Sequence, residues 1–189
     1  MVAVNSTMLP LGHAAPDFSL PDTDGTVVSL SDLGKDALLV MFICNHCPYV
    51  IHMVDELAKI GTDYHDRVDI VAISSNDAEK YPQDGPAKMA EEKALRGYVF
   101  PYLYDESQSV AHAYKAACTP EFYIFDADHR LAYRGRLDDT RPRAGTPTGA
   151  EVRAALDALL AGGTPAQEQH PSIGCNIKWK PGNAPSYFG

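Results

Sequence analysis

A chain of 189 residues, 45% hydrophobic and 22% charged, has the size and make-up of one globular domain. Such a chain buries roughly two-thirds of its unfolded surface, so its core needs neither metal nor disulfide. Four cysteines are too few for a disulfide scaffold, and 25 acidic against 16 basic residues, with no basic run, exclude nucleic acid and anionic membrane as the main partner.

No apolar run approaches the roughly 18 residues of a membrane helix. Met1 to Pro16 carries no Lys or Arg, so no secretory signal is visible and a cytoplasmic location is the expectation. In a reducing compartment, close cysteines point to catalysis or metal binding rather than to structural bridges.

In chain order, Phe18 to Leu20 and Val27 to Leu30 flank Asp22-Thr23-Asp24-Gly25 and predict a hairpin. Ala37 to Ile43 is continuously apolar, the pattern of a strand buried on both faces and so of a sheet centre. Val50, Val54, Leu57 and Ile60 share a helical face, with Gly61 as the expected stop. Val68 to Ser74 completes a parallel strand-helix-strand unit. Pro86 opens a helix to Arg96, stopped by Gly97, and Tyr102 to Tyr104 is a short strand. Asp105 and Gln108 resemble a capping pair for a helix ending near Ala117. Glu121 to Phe125 and Arg130 to Tyr133 read as antiparallel strands, and Thr148 with Glu151 as the capping box of a last helix stopped by Gly162-Gly163. Residues 1–163 thus form one α/β domain, and 164–189 a proline-rich, irregular tail packed on or near it.

Cys44-Asn45-His46-Cys47-Pro48 stands where the central strand gives way to the helix. That is where α/β sheets present reactive groups, and the positive end of a helix favours a thiolate. Pro48 suits the first helical turn, with Asn45 as the expected N-cap, which leaves Cys44 outside as the attacking thiol and Cys47 as the resolving one. His46, if protonated, adds to thiolate stability. A metal reading, with Cys44, His46 and Cys47 holding zinc or copper, has the spacing against it: Cys118 and Cys175 have no Cys or His two to four residues away.

These pieces together resemble the AhpC/TSA (peroxiredoxin-like) branch of the thioredoxin-fold redoxins. Ala15-Pro16-Asp17-Phe18-Ser19-Leu20 with Val28-Ser29-Leu30 is similar to its opening hairpin, Cys44 to Pro48 occupies its active-site turn, and Thr119-Pro120 resembles its cis-proline loop. The resemblance implies a thioredoxin-like fold, a central mixed sheet flanked by helices with an N-terminal hairpin extension. It also implies a cis Pro120 and a Thr119-Pro120 backbone that receives the substrate. The Trp that usually precedes such a dithiol is Ile43 here, the only Trp being Trp179. Peroxiredoxins place the peroxide-reactive Cys where Cys47 stands and a hydroxyl residue where Cys44 stands.

The expectation is a thiol-disulfide oxidoreductase using Cys44 and Cys47, with no metal or organic cofactor, acting on a protein or small-molecule disulfide and served by a thiol reductant such as a thioredoxin system. One alternative is a thiol peroxidase with Cys47 reacting with peroxide and Cys44 resolving; another is a copper- or zinc-binding protein. Cys118 and Cys175 form a candidate second redox pair. Arg134 or Arg136 resembles the arginine that activates the peroxidatic thiolate, with surface ion pairing to acids such as Asp138 and Asp139 as the simpler role. His52 and His112 read as surface residues.

Overall fold

The computed structural model describes residues 3–187, so the outermost ends of the expected domain and tail lie outside the described residues. Its elements begin with β1 (Ala3–Asn5), β2 (Ser19–Pro21), β3 (Val27–Ser29), β4 (Ala37–Phe42) and α1 (Pro48–Tyr64). β5 (Val68–Ser74), α2 (Pro86–Arg96), β6 (Tyr102–Tyr104), α3 (Ser109–Ala113) and β7 (Cys118–Thr119) follow. The chain closes with β8 (Glu121–Asp126), β9 (Leu131–Gly135), α4 (Ala150–Leu160) and β10 (Ile173–Asn176).

The all-apolar Ala37–Phe42 takes the centre of a five-stranded sheet of order β6-β5-β4-β8-β9, parallel to β5 and antiparallel to β8. Because strand side chains alternate, Ala37, Leu39 and Met41 enter one core with α1 and α4, while Leu38, Val40 and Phe42 enter a second on the opposite face. Six buried positions in a row are therefore what a strand covered on both faces requires. This is the thioredoxin-like mixed α/β architecture.

Three local expectations fail for identifiable reasons. Gly61 does not stop α1, which runs on to Tyr64; a Cβ there would sit 2.8 Å from the Phe100 ring, so this glycine makes room for packing. Gly61→Ala should destabilise the fold by about 1–3 kcal/mol through that overpacking, seen as a lower denaturation midpoint at unchanged m-value. Thr148 and Glu151 form no capping box. Gly149 is the N-cap of α4, the Asp138 carboxylate accepts the Thr148 and Gly149 N–H groups, and Glu151 pairs with Arg136. The helix after Gln108 ends at Ala113, because the chain must straighten into β7.

The tail supplies the largest difference. It carries β10, which lies between β1 and β7 in a separate antiparallel sheet, with Cys175 opposite both Ala3 and Thr119. Gln108 accepts from the Lys180 N–H and donates to the Lys178 carbonyl, while the Lys178 N–H donates to Asn76. Trp179 packs on His112, ring centroids 4.7 Å apart. These anchors bring the tail to the end of the main sheet at which β4 meets α1.

Candidate active site at the start of helix α1

The Ile43 N–H donates to the Ile73 carbonyl, extending the pairing one residue past β4 before the chain turns. The N-cap of α1 is Cys47, not Asn45, with extended backbone (φ −72°, ψ 122°), and Pro48 is the first helical residue. Proline explains this, since the residue before it is driven out of the helical region, so Cys47 becomes the boundary. Asn45 braces the turn instead, donating to the Gln83 carbonyl and accepting from the Tyr102 hydroxyl at 3.0 Å.

Cys44 and Cys47 are equally covered, so the expected greater exposure of Cys44 is not observed. They differ electrostatically. The Cys47 thiol is held well below the ordinary range, first by a hydrogen bond from Cys175, then by one from Cys44, with smaller help from the Val50 N–H and against the pull of burial. Cys44 is pushed up, first because its proton is shared with Cys47, then by burial and by the Asp84 charge. While protonated, Cys47 donates to the Thr119 carbonyl at 3.1 Å, and Cys44 lies 3.3 Å from the Thr119 hydroxyl. The Thr119-Pro120 bond is cis, and the Thr119 carbonyl and hydroxyl both face the sulfurs. The centre thus has two thiols, Cys44 and Cys175, beside one ionisable sulfur at a helix N-terminus.

The His46 ring is hydrogen-bonded to Asp84 rather than to either sulfur. Its Nδ1 lies 2.5 Å from the fully buried Asp84 carboxylate, and its ring stacks on Tyr81. Asp84 also accepts from the Asn45 N–H (2.9 Å), the His46 N–H (3.3 Å) and the Asn76 side chain (2.8 Å). This carboxylate fixes the active-site turn against the loop after β5, and sequence spacing gave no sign of it. Possible metal-ligating atoms of Cys44, His46 and Asp84 lie within 4.8 Å of one another. Both oxygens of Asp84, however, are already used as acceptors by the turn.

The expected Cys118–Cys175 pair is corrected by the strand register. Cys175 is opposite Thr119 and Cys118 opposite Asn176. Neighbouring strand residues face opposite sides, so Cys175 shares a face with Thr119 while Cys118 points away. Cys118 instead lies 3.8 Å from the buried Glu121 carboxylate, which accepts the Ala117 N–H and the Tyr123 hydroxyl. Burial raises the Glu121 carboxyl from 4.5 to about 7. A raised carboxyl stabilises the fold below its unfolded value and loses that contribution as pH climbs through 7. Glu121→Gln should therefore gain stability relative to the wild type between pH 5 and pH 8, read from denaturant midpoints at the two values.

The two arginines are engaged elsewhere. Arg134 donates to the Leu9 carbonyl and to Gln169, and Arg136 is paired with Glu151 rather than with Asp138 or Asp139. His52 lies against the Thr140 hydroxyl and His112 against the Asn183 carbonyl.

A model described as the AhpC/TSA family matches residues 11–134. The chain belongs to that family. Peroxiredoxin Bcp of Escherichia coli K12 is 31% identical over 136 residues, 66% of this chain and 78% of Bcp. Among solved structures, an uncharacterized conserved protein from Geobacillus kaustophilus is 57% identical with a TM-score of 0.93, covering 96% of this chain and 98% of its own. A hypothetical protein from Sinorhizobium meliloti 1021 is 47% identical with a TM-score of 0.93, covering 94% and 99%. The thioredoxin domain of a Bacteroides vulgatus thiol-disulfide oxidoreductase shares the fold alone, at 19% identity and a TM-score of 0.57, over 70% of this chain and 90% of that one. Membership makes this AhpC/TSA chain a thioredoxin-fold thiol enzyme, peroxiredoxin-like or thiol-disulfide oxidoreductase in type. No described helix is long and apolar enough to cross a membrane. The family match includes Cys44, Cys47, Cys118 and Thr119-Pro120 and stops before Cys175.

Proposed function

We propose that this AhpC/TSA protein is a thiol-disulfide oxidoreductase working through Cys44 and Cys47, with Cys47 as the attacking thiolate. What carries this reading is the Cys47 sulfur at the N-cap of α1, against the Thr119 carbonyl, with its thiol held well below the ordinary range chiefly by Cys175 and Cys44. The Cys47 thiolate attacks one sulfur of a substrate disulfide and expels the other as thiolate, giving a mixed disulfide. Cys44 then loses its proton to the departing thiolate and attacks the Cys47 sulfur. Products are a Cys44–Cys47 disulfide and two substrate thiols. Interactions that stabilise the Cys47 thiolate exist only in the reduced form, so they raise the reduction potential of the dithiol. An external dithiol, such as a thioredoxin system, restores the reduced state.

A second reading, thiol peroxidase, is supported by the same lowered thiol, which occupies the peroxidatic position. Against it, both guanidinium groups are already engaged, Arg134 with Leu9 and Gln169 and Arg136 with Glu151, and neither has a hydrogen bond to a cysteine sulfur among the described residues. Stopped-flow reaction of reduced protein with hydrogen peroxide and with a model aryl disulfide separates the two. The disulfide is expected to react faster by at least about tenfold in second-order rate constant, a margin of about 1.4 kcal/mol in barrier; the opposite preference makes the protein a peroxidase.

A further inference from the structure

We propose that Cys175 is a third redox cysteine of this centre and forms a disulfide with Cys47 in competition with Cys44. The proposal rests on the dithiol reading above and extends it to a residue of the C-terminal tail. Cys175 is buried and packed in the same core cluster as Cys44 and Cys47, and it is the first cause of the lowered Cys47 thiol. Its strand pairs antiparallel with β7, placing it directly opposite Thr119, whose carbonyl and hydroxyl contact Cys47 and Cys44.

That position has chemical meaning. A strand edge beside a reactive sulfur is where an extended substrate adds by main-chain pairing, presenting its own sulfur to the nucleophile. Here the edge of β7 is taken by the chain's own β10, so Cys175 is presented as the cysteine of an incoming strand would be. Gly174 is part of the arrangement. A Cβ on it would lie 2.1 Å from the Thr119 carbonyl oxygen, so only glycine lets β10 come this close. Asn76 and Gln108 clamp the segment just beyond Cys175, and β1 pairs along its other edge.

The chemistry balances without a further reactant. Once Cys47 holds a mixed disulfide, the Cys175 thiol gives its proton to the departing substrate thiolate and its sulfur attacks Cys47. A Cys47–Cys175 disulfide and a free substrate thiol result. Cys44 then exchanges with this bond, giving Cys44–Cys47 and returning Cys175 to the thiol, with no net electron change in that step. The tail is thus a second resolving arm on the same nucleophile.

The test uses the full reduced chain, one equivalent of diamide as a two-electron, two-proton acceptor, acid quenching, thiol blocking and non-reducing tryptic mapping. Cleavage at Lys and Arg puts Cys44 and Cys47 in residues 36–59, Cys118 in 116–130 and Cys175 in 154–178, so each link has its own mass. In Cys44→Ser the 36–59 to 154–178 link is expected to be the main product, and in Cys44→Ser/Cys175→Ser it disappears. A folded Cys44→Ser protein, checked by circular dichroism, that yields only blocked or intermolecular Cys47 overturns the proposal. If the wild type still gives the internal 36–59 disulfide in that case, the dithiol reading survives it. If no link forms among the three sulfurs in any variant, both fail.

Discussion

Cys47→Ser is expected to lose turnover of a model disulfide by on the order of a thousandfold or more, because it removes the nucleophile and not a group that assists it. The Cys44→Ser/Cys175→Ser variant should behave differently. It keeps the attacking sulfur and loses both resolving thiols, so one equivalent of leaving thiolate appears in a burst and the mixed disulfide accumulates on Cys47. The pH profile adds an independent arm. With the Cys47 thiol held well below neutrality by its two thiol donors and the helix N-terminus, the first-turnover rate of the wild type is flat from about pH 6 to 8. Attack by Cys44, which is pushed up by its bond to Cys47, by burial and by Asp84, would instead climb close to tenfold per pH unit over that range. A Cys47→Ser protein that retains the wild-type burst would return the attacking role to Cys44.

The proposed reversal of the two roles shows where the sequence was readable and where it was not. The strand-to-helix junction and the central strand were legible because each depends on a local pattern, a proline at a helix start and an apolar run, whereas the cis proline was legible only through the family resemblance. The polarity of the dithiol was not. It depends on which residue caps α1, decided by the restriction Pro48 places on Cys47, and on a third thiol contributed from residue 175. Nothing local to Ile173–Asn176 marks it as a strand facing Thr119. Ile173, Cys175, Ile177 and Trp179 do alternate with small or polar residues, but they lie in a proline-rich tail, and which strand they pair with is set by close approach at Gly174 and by the polar clamps at Asn76 and Gln108. The even count of cysteines suggested two pairs; Cys44, Cys47 and Cys175 pack in one core cluster, and the register turns Cys118 to the other face. Asp84 was invisible for a related reason. It lies in a proline-rich loop that reads as surface, and only the fold shows that its carboxylate is fully enclosed.

Asp84→Ala should therefore be among the most damaging substitutions outside the sulfurs, destabilising the protein by about 3–5 kcal/mol. The carboxylate receives hydrogen bonds from two backbone N–H groups of the Cys44–Cys47 turn and from Asn76, and it holds the His46 ring; alanine would leave those buried donors without an acceptor. Asp84→Asn keeps one oxygen and the shape, so it should fold, at a smaller cost of about 1–3 kcal/mol, and it isolates the electrostatic role. Removing the negative charge that raises Cys44 should lower that thiol and speed its alkylation by iodoacetamide, measured in a Cys47→Ser background where Cys44 no longer shares its proton with Cys47. The Asp84 charge is one contributor of three, so the change should be moderate, a few-fold at pH 8, while far-ultraviolet dichroism stays native. An Asp84→Asn protein with wild-type stability and unaltered Cys44 alkylation would show that the turn is held by its own backbone. In that case Asn45, through Tyr102 and Gln83, would be the group that positions the dithiol.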